Sequence, residues 1–212
     1  MNRSPGEPCS PCGESALERY YRFHSRFYDA TRWSFLFGRS AVMEAFAAPP
    51  PRRILEVGCG TGRNLVRLCR RFPKAELTGV DLSRAMLEVA RSKTHAFGAR
   101  VRLLHQAYGG VSGESQACDL VLFSYALSMF NPGCEAAIAA AHGDLQSGGR
   151  VAVVDFHDSR FGFFERWMGM NHVRMQGHLR PLLLARFAPT TDRLCRAYAG
   201  TWRYLLFVGR KE

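Results

Sequence analysis

The chain has 212 residues, which suits one domain and is long enough to bury most of the surface that the unfolded chain exposes. A hydrophobic share of 47% and a charged share of 22% are ordinary for a globular protein, and no apolar run reaches the roughly 18 residues that a membrane-spanning helix needs. The net charge of +11 is spread along the chain; we interpret it as a solvated surface, with an anionic substrate or an acidic membrane surface as the alternative.

The N-terminal segment, residues 1–13, is polar and rich in proline and lacks the apolar core of a signal peptide. We therefore expect a flexible leader and a cytoplasmic protein. The seven cysteines are odd in number and come without a secretory signal, which argues against a disulfide framework. Cys9 and Cys12 have CxxC spacing, but no second Cys pair or His pair nearby completes a zinc site, so we expect no metal.

Residues 14–48 form an aromatic-rich segment with a helical pattern, which we predict to be a lid. It ends at three consecutive prolines, residues 49–51, which stop helix formation, and we expect the main domain to cover 49–212. The lid side chains that we nominate for a ligand site are Tyr20, Tyr21, His24, Tyr28 and Arg39.

From residue 52 the sequence alternates β-rich runs with helical segments. We predict strands at 53–57, 76–81, 101–106, 119–124 and 150–156, and helices at 63–72, 83–96 and 133–145. This alternation predicts an α/β fold with a parallel sheet and helices on both faces. After a mostly helical segment at 162–187, broken at Pro181, strands at 193–198 and 202–208 form a hairpin, so the last strand runs antiparallel to the one before it.

Three glycines, Gly58, Gly60 and Gly62, follow the first predicted strand and precede a helix. Such a turn lets the backbone approach a ligand closely, and dinucleotide-binding proteins use a similar one. However, Glu56 inside the end of the strand would repel a pyrophosphate and attract a cationic sulfonium ligand. Asp81, at the end of the second strand, is placed to bind both ribose hydroxyls; the alternative is that it caps the next helix together with Ser83.

Four segments carry a resemblance to a known family: ILEVGCGTG at 54–62, GVDLS at 79–83, DLVLFS at 119–124 and LQSGGRV at 145–151. In this order and spacing they resemble the motifs of class I methyltransferases that use S-adenosylmethionine (AdoMet). The resemblance implies a Rossmann-like, seven-stranded sheet in the order 3-2-1-4-5-7-6, with strand 7 antiparallel, and AdoMet as the cofactor. Taking this resemblance together with the residue chemistry, we predict that the cofactor is bound by Glu56, Gly58, Cys59, Gly60, Gly62, Asp81, Leu82, Gln106, Ala107, Ser124 and Tyr28.

The same resemblance assigns individual roles. The glycines would pack against the methionine and ribose moieties, Asp81 would bind the ribose, and Leu82 would cover one face of the adenine. The family commonly has a carboxylate after the third strand to receive the adenine amino group, and here the position holds Gln106, followed by Ala107. An amide oxygen can accept the same hydrogen bond.

Methyl transfer needs orientation and a shielded site more than a nucleophile or a metal, so the sequence reveals the acceptor site less clearly. We nominate residues at the carboxyl ends of strands four and five and in the segment after them: Ser124, Tyr125, Ser128, Asp155, His157, Asp158, His172 and His178. Among these, His157 is the preferred base and Tyr125 the preferred acceptor-site residue.

A narrower resemblance concerns YDATRWSFLFGR at 28–39 and FSYALSM at 123–129. These segments are similar to bacterial N-methyltransferases of the betaine-lipid and phosphatidylethanolamine group. The likeness implies N-methylation of an amine on a small molecule or polar lipid head, with Tyr28 closing over the cofactor and Tyr125 near the transferred methyl. A lipid acceptor would fit the basic charge through peripheral contact with an anionic membrane, on its inner face.

Four alternatives remain open from the sequence. They are an O-methyltransferase of a small metabolite, a nucleic-acid methyltransferase, a nicotinamide-dependent oxidoreductase and an inactive binding partner that keeps the fold. Asn131-Pro132 is not followed by the Pro-Tyr of the motif used for exocyclic base amines, which disfavours nucleic acid. Glu56 and the glycine spacing disfavour a nicotinamide cofactor.

Overall fold

The computed structural model describes residues 36–109 and 118–212. Its helices are α1 (Arg39–Ala45), α2 (Arg63–Arg71), α3 (Arg84–Thr94), α4 (Cys134–Asp144), α5 (Gly162–Met170) and α6 (Leu179–Leu184). Its strands are β1 (Arg53–Val57), β2 (Glu76–Asp81), β3 (Val101–His105), β4 (Cys118–Ser124), β5 (Leu145–Ser159), β6 (Ala188–Ala197) and β7 (Trp202–Arg210). The predicted leader and the predicted lid up to residue 35, with Tyr20, Tyr21, His24 and Tyr28, lie outside the described residues.

The seven strands form one sheet in the order β3-β2-β1-β4-β5-β7-β6. Strands β1 to β5 pair in parallel, and β7 is antiparallel to both of its neighbours. The predicted strand order and the antiparallel closing hairpin are thus confirmed. The central strands are buried on both faces, which explains why their sequences are continuous apolar runs and do not alternate.

The sheet separates two hydrophobic cores. Side chains alternate between them along each strand, so Ile54 belongs to one core and Leu55 to the other. Likewise, Leu122 and Phe123 of β4 are fully buried on opposite faces. Burying a side chain of this size contributes about 1.5–3 kcal/mol.

Three parts of the fold differ from the sequence-based prediction. Pro181 does not break the helical region. It lies in the first turn of α6, where a backbone N–H has no acceptor within the helix, so a residue without an N–H is tolerated. The break is the irregular segment 171–178. Strand β5 begins at Leu145 and includes the predicted turn, because Gly148 has a φ of 75° and forms an irregularity within the strand. Strand β6 begins five residues before the predicted start, since an exposed edge strand has few buried positions to reveal it.

The topology brings the loops that follow β1, β2 and β4 together. Val57 pairs with Val80 on one side and with Phe123 on the other, so the three parallel strands end at the same edge of the sheet. The ligand site of a doubly wound sheet lies at this carboxyl edge.

Candidate functional site

A cavity of about 1020 Å³ opens at the carboxyl edge of the sheet. The residues that line it come from the ends of β1 to β4, from α5 and the segment after it, and from α1, which contributes Arg39. This volume is at the upper end of the range for small-molecule sites, so the cavity has room for two ligands side by side.

Two glycines of the loop after β1 differ in what surrounds them. A Cβ on Gly58 would lie 2.7 Å from the Cβ of Ala126, so the loop packs against the turn that follows β4. A Cβ on Gly60 would meet no atom within 4 Å, and its backbone has a φ of 53°. The N–H of Gly58 donates to the carbonyl of Val80 at 2.8 Å, which ties the loop to β2. Gly60 therefore presents bare backbone to the open cavity.

Asp81 braces this loop from the end of β2. One carboxylate oxygen accepts from the N–H of Gly60 at 2.7 Å, and the other accepts from the N–H of Ser83 at 2.9 Å. Ser83 itself caps α3 by accepting from the N–H of Met86 at 3.3 Å. Burial raises the pKa of Asp81, and the backbone donors oppose that shift. Asp81 and Ser83 therefore make the contacts expected at the start of α3, and Asp81 also lines the cavity.

Glu56 is buried in the cavity wall, with 1% of its surface exposed. Its Oε1 accepts a hydrogen bond of 2.8 Å from Asn64, whereas its Oε2 has no hydrogen-bond partner in the described part of the chain. Burial raises the pKa of Glu56 to about 7, against the opposing effects of Asn64 and the charge of Arg39. A cationic ligand in the cavity would give this carboxylate the partner that it lacks.

The loops after β2 and β3 are held together at the cavity mouth. The N–H of Gln106 donates to the carbonyl of Asp81 at 3.2 Å, and His105 Nε2 lies 3.0 Å from the carbonyl of Leu82. The Leu82 side chain is 53% exposed beside them, which is unusual for leucine and leaves an apolar surface for a flat ligand.

The structure brings nearly all the residues predicted to bind a cofactor to this one cavity. Those in its lining are Glu56, Gly58, Cys59, Gly60, Asp81, Leu82, Gln106, Ala107 and Ser124. Gly62 is outside the lining, because a Cβ there would lie 2.9 Å from that of Ala90 and the residue packs against α3. Tyr28 lies outside the described residues.

Tyr125 lines the cavity but its hydroxyl is already used. The hydroxyl donates a 2.7 Å hydrogen bond to the carbonyl of Phe37, and the ring packs edge-on against Phe156. Burial raises the pKa of Tyr125 well above its ordinary value. These contacts suit a residue that holds the α1 segment in place rather than one that takes a proton.

His157, the preferred base, does not line the cavity formed by the described residues. Its ring packs behind Gly177, where a Cβ would lie 3.1 Å from the ring, and burial lowers its pKa. The reason is that β5 continues to Ser159 and pairs with β7 on both sides of an irregularity at His157, so the strand does not end before this residue. Asp155 is likewise buried, accepting from the N–H of Ser128, and Asp158 is paired with Arg203. The geometry gives no support to His157 as a base.

Other residues of the cavity were not nominated from the sequence. They include Asn64, Met129, Phe130, Glu165, Arg174 and Met175. A polar Asn64 in the first turn of an otherwise apolar helix face was the signal available for it, since Leu65 and Leu68 of the same helix are buried. His172 and Arg39, which were nominated, also line the cavity, whereas Ser128 and His178 do not.

The described residues contain no group of three or more His, Cys, Asp or Glu side chains arranged to hold a metal ion. Among the same residues, no helix combines the length and the apolar character needed to cross a membrane.

A family model described as a methyltransferase domain matches residues 54–149. Demethylmenaquinone methyltransferase of Thermus thermophilus is 30% identical over 155 residues, which are 73% of this chain and 64% of that protein. The chain thus spans less than two thirds of the length of this relative.

Two solved structures share most of the fold. The [4+2]-cyclase SpnF has a TM-score of 0.77 at 16% identity, covering 92% of this chain and 95% of that one. The N-methyltransferase NodS from Bradyrhizobium japonicum WM9, in complex with S-adenosyl-L-homocysteine, has a TM-score of 0.75 at 16% identity, covering 92% and 97%. At these identities the likeness concerns the fold alone. Residues 54–149 therefore match the methyltransferase-domain family model, within a chain whose sheet has the strand order of the Rossmann-like methyltransferase fold.

Proposed function

We propose that the chain is an AdoMet-dependent methyltransferase that binds AdoMet in the half of the cavity formed by the ends of β1, β2 and β3. The observation that carries the proposal is Glu56, a buried carboxylate with one unpartnered oxygen beside the bare backbone of Gly60. AdoMet has a sulfonium and an ammonium group, and either would compensate this charge. A pyrophosphate would meet Glu56 and Asp81 together, which disfavours a nicotinamide cofactor.

The other residues of this half have matching roles in the proposal. Asp81 would accept hydrogen bonds from the ribose hydroxyls, exposed Leu82 would cover the adenine, and Gln106 would accept from the adenine amino group. Ser124 supplies a buried hydroxyl oxygen without a hydrogen-bond partner in the described part of the chain. AdoMet supplies an activated methyl group on sulfur, so these side chains need only orient it and exclude water.

For the acceptor we infer an amine, on a small molecule or a polar lipid head group. The second half of the cavity is lined by both signs of charge: the carboxylate of Glu165 is suited to hold an amine, and the guanidinium of Arg174 is suited to hold an anionic group. In the transfer, the amine lone pair forms the N–C bond as the S–C bond breaks. The proton then leaves the new ammonium to water or to His172, the histidine that lines the described cavity.

A second candidate is C-methylation of an apolar ring. It is favoured by the name of the Thermus relative and by the apolar side chains of the acceptor half, which are Met129, Phe130, Val173 and Met175. A carbon nucleophile of this kind would use the same cofactor half of the cavity and differ only in the acceptor.

Two measurements test these proposals. Calorimetric titration should show binding of AdoMet and none of NADH, and the opposite result would overturn the cofactor assignment. Methyl-labelled AdoMet should then transfer label to an amine-containing phospholipid or metabolite extract. Label in a reduced quinone alone would replace N-methylation by C-methylation. Label in neither, from protein that binds AdoMet, would favour the inactive binding partner.

A matched pair of variants separates the site from the fold. Asp81→Asn keeps the shape but removes the charge, and we expect AdoMet to bind on the order of 10- to 100-fold more weakly, since hydrogen bonds to a charged group are the strong ones. Glu76→Gln makes the same change at the exposed start of the same strand and should leave affinity unchanged.

A further inference from the structure

Helix α5 presents three different faces. Phe164 and Met168, four residues apart, are buried in the core. Glu165 and Gly169, also four apart, line the cavity. The remaining face carries Phe163 and Met170. Because residues three or four apart share one side of a helix, these three faces are distinct, and the exposed one points away from both the core and the cavity.

The exposed face is strongly apolar. Phe163 and Met170 are 73% and 74% exposed, Trp167 is 46% exposed, and Phe161 just before the helix is 45% exposed. Phe161 and Phe163 lie with ring centroids 5.7 Å apart, so the side chains form one surface, which we call the aromatic face. Four large exposed apolar side chains within ten residues indicate an interaction surface rather than scattered exposure.

The charges around the aromatic face are mostly positive. Arg160 precedes Phe161, Arg166 lies within α5, and both are exposed without an ion-pair partner among the described residues. Of the neighbouring acids, Glu165 lines the cavity and Asp158 forms an ion pair. Glu165 accepts from the N–H of Ser159 at 3.1 Å, and Asp158 is bonded to Arg203. Aromatic and arginine side chains in this arrangement fit an anionic lipid surface.

We propose that the aromatic face of α5 docks the protein on an anionic membrane surface, with Phe161, Phe163, Trp167 and Met170 entering the head-group region. The apolar side chains leave water, and Arg160 and Arg166 meet lipid phosphates. The inference does not depend on the identity of the acceptor, and it would hold for a water-soluble one.

Vesicle sedimentation tests the proposal directly, with binding and not activity as the readout. The wild-type chain should cosediment with vesicles of phosphatidylcholine and phosphatidylglycerol, and much less with phosphatidylcholine alone. We expect Phe163→Ser with Met170→Ser to weaken binding on the order of tenfold or more, since each change removes an apolar side chain from the lipid. Arg166→Gln should weaken binding by about fivefold and reduce its dependence on salt.

The matched control is Leu194→Ser, which removes a partly exposed leucine from edge strand β6. It should leave vesicle binding unchanged. Equal loss of binding in the control and in the double variant would overturn the proposal, because the effect would then be one of general hydrophobicity. So would wild-type protein that stays in the supernatant with anionic vesicles, or that forms a dimer abolished by the double variant. AdoMet binding should be intact in every variant, which keeps this test separate from that of the proposed activity.

Discussion

The hydroxyl of Tyr125 donates a 2.7 Å hydrogen bond to the backbone carbonyl of Phe37, across 88 residues of sequence. Tyr125 follows β4 at the floor of the cavity, and Phe37 comes just before α1, which carries Arg39 into the cavity wall. This bond ties the start of the described chain to the site, so the position of Arg39 depends on Tyr125.

Tyr125→Phe tests this role. The variant keeps the ring against Phe156 and loses one hydrogen bond, so we expect it to lower the free energy of unfolding by about 1 kcal/mol. Activity should fall by a modest factor through a higher KM, with an unchanged pH profile, because Tyr125 positions Arg39 and does not transfer a proton. Denaturant unfolding and steady-state kinetics across pH measure both effects. Loss of kcat by several orders of magnitude in a folded variant would make Tyr125 a catalytic residue instead.

Glu56 links stability to pH. Its pKa is about 7 in the folded protein and 4.5 in its unperturbed state, so between these values the folded state holds a proton that the unfolded state releases. The stabilisation from this group is full below pH 4.5 and is lost as the pH rises to about 7. The shift corresponds to about 3 kcal/mol.

Glu56→Gln should therefore stabilise the protein without ligand at neutral pH while it weakens AdoMet binding. The amide cannot ionise, so the Glu56-dependent fall in unfolding free energy between pH 4.5 and 7 disappears, and its oxygen can still accept from Asn64. Denaturant unfolding at several pH values measures the stability, and calorimetric titration with AdoMet measures the binding. A variant that is less stable than wild type at a pH about one unit above the folded-state pKa would contradict the expected stabilisation.

The sequence predicted the sheet, and it pointed to residues at the ends of β1 and β2 that line the cavity, because each is encoded locally. Buried parallel strands are continuous apolar runs, and Glu56 and Asp81 come at the carboxyl ends of two such runs, which adjoin in the sheet. The loop glycines follow the same logic, since a turn between a strand and a helix needs residues that tolerate a positive φ.

The side of the cavity formed by α5 and the segment after it was harder to predict because it depends on tertiary packing. Residues 171–178 have no regular structure, and no periodicity indicated that His172 and Arg174 would face the cavity whereas His178 would not. His157 lies outside the described cavity because its strand extends beyond the predicted end through pairing with β7, as far as Ser159 opposite Trp202. That pairing joins residues far apart in sequence, where local patterns carry no signal.

Two glycine substitutions should separate stability from ligand binding. Alanine at either Gly58 or Gly60 takes a left-handed backbone, at a cost of about 1–2 kcal/mol. Gly58→Ala also places its Cβ 2.7 Å from that of Ala126, so it should lose clearly more stability than Gly60→Ala. Gly60→Ala has open space in the protein but projects into the cavity, so we expect it to lose AdoMet affinity while its stability falls only by this backbone cost. Thermal unfolding and calorimetry of both variants would show the contrast, and equal stability of the two would contradict the packing argument.

We expect substitutions of His157 and His172 to have opposite effects on catalysis. His157 lies behind Gly177 outside the described cavity, so His157→Gln should retain most of the activity and change stability by about 1 kcal/mol. His172 lines the cavity with exposed surroundings, so His172→Gln should lower kcat while the fold and AdoMet affinity stay intact. A general base contributes about 10²- to 10⁴-fold, and loss of a base should also remove a limb of the pH–rate profile. Greater loss of kcat in the His157 variant would restore the sequence-based choice, because the residue would then have to reach the acceptor through a rearranged 171–178 segment.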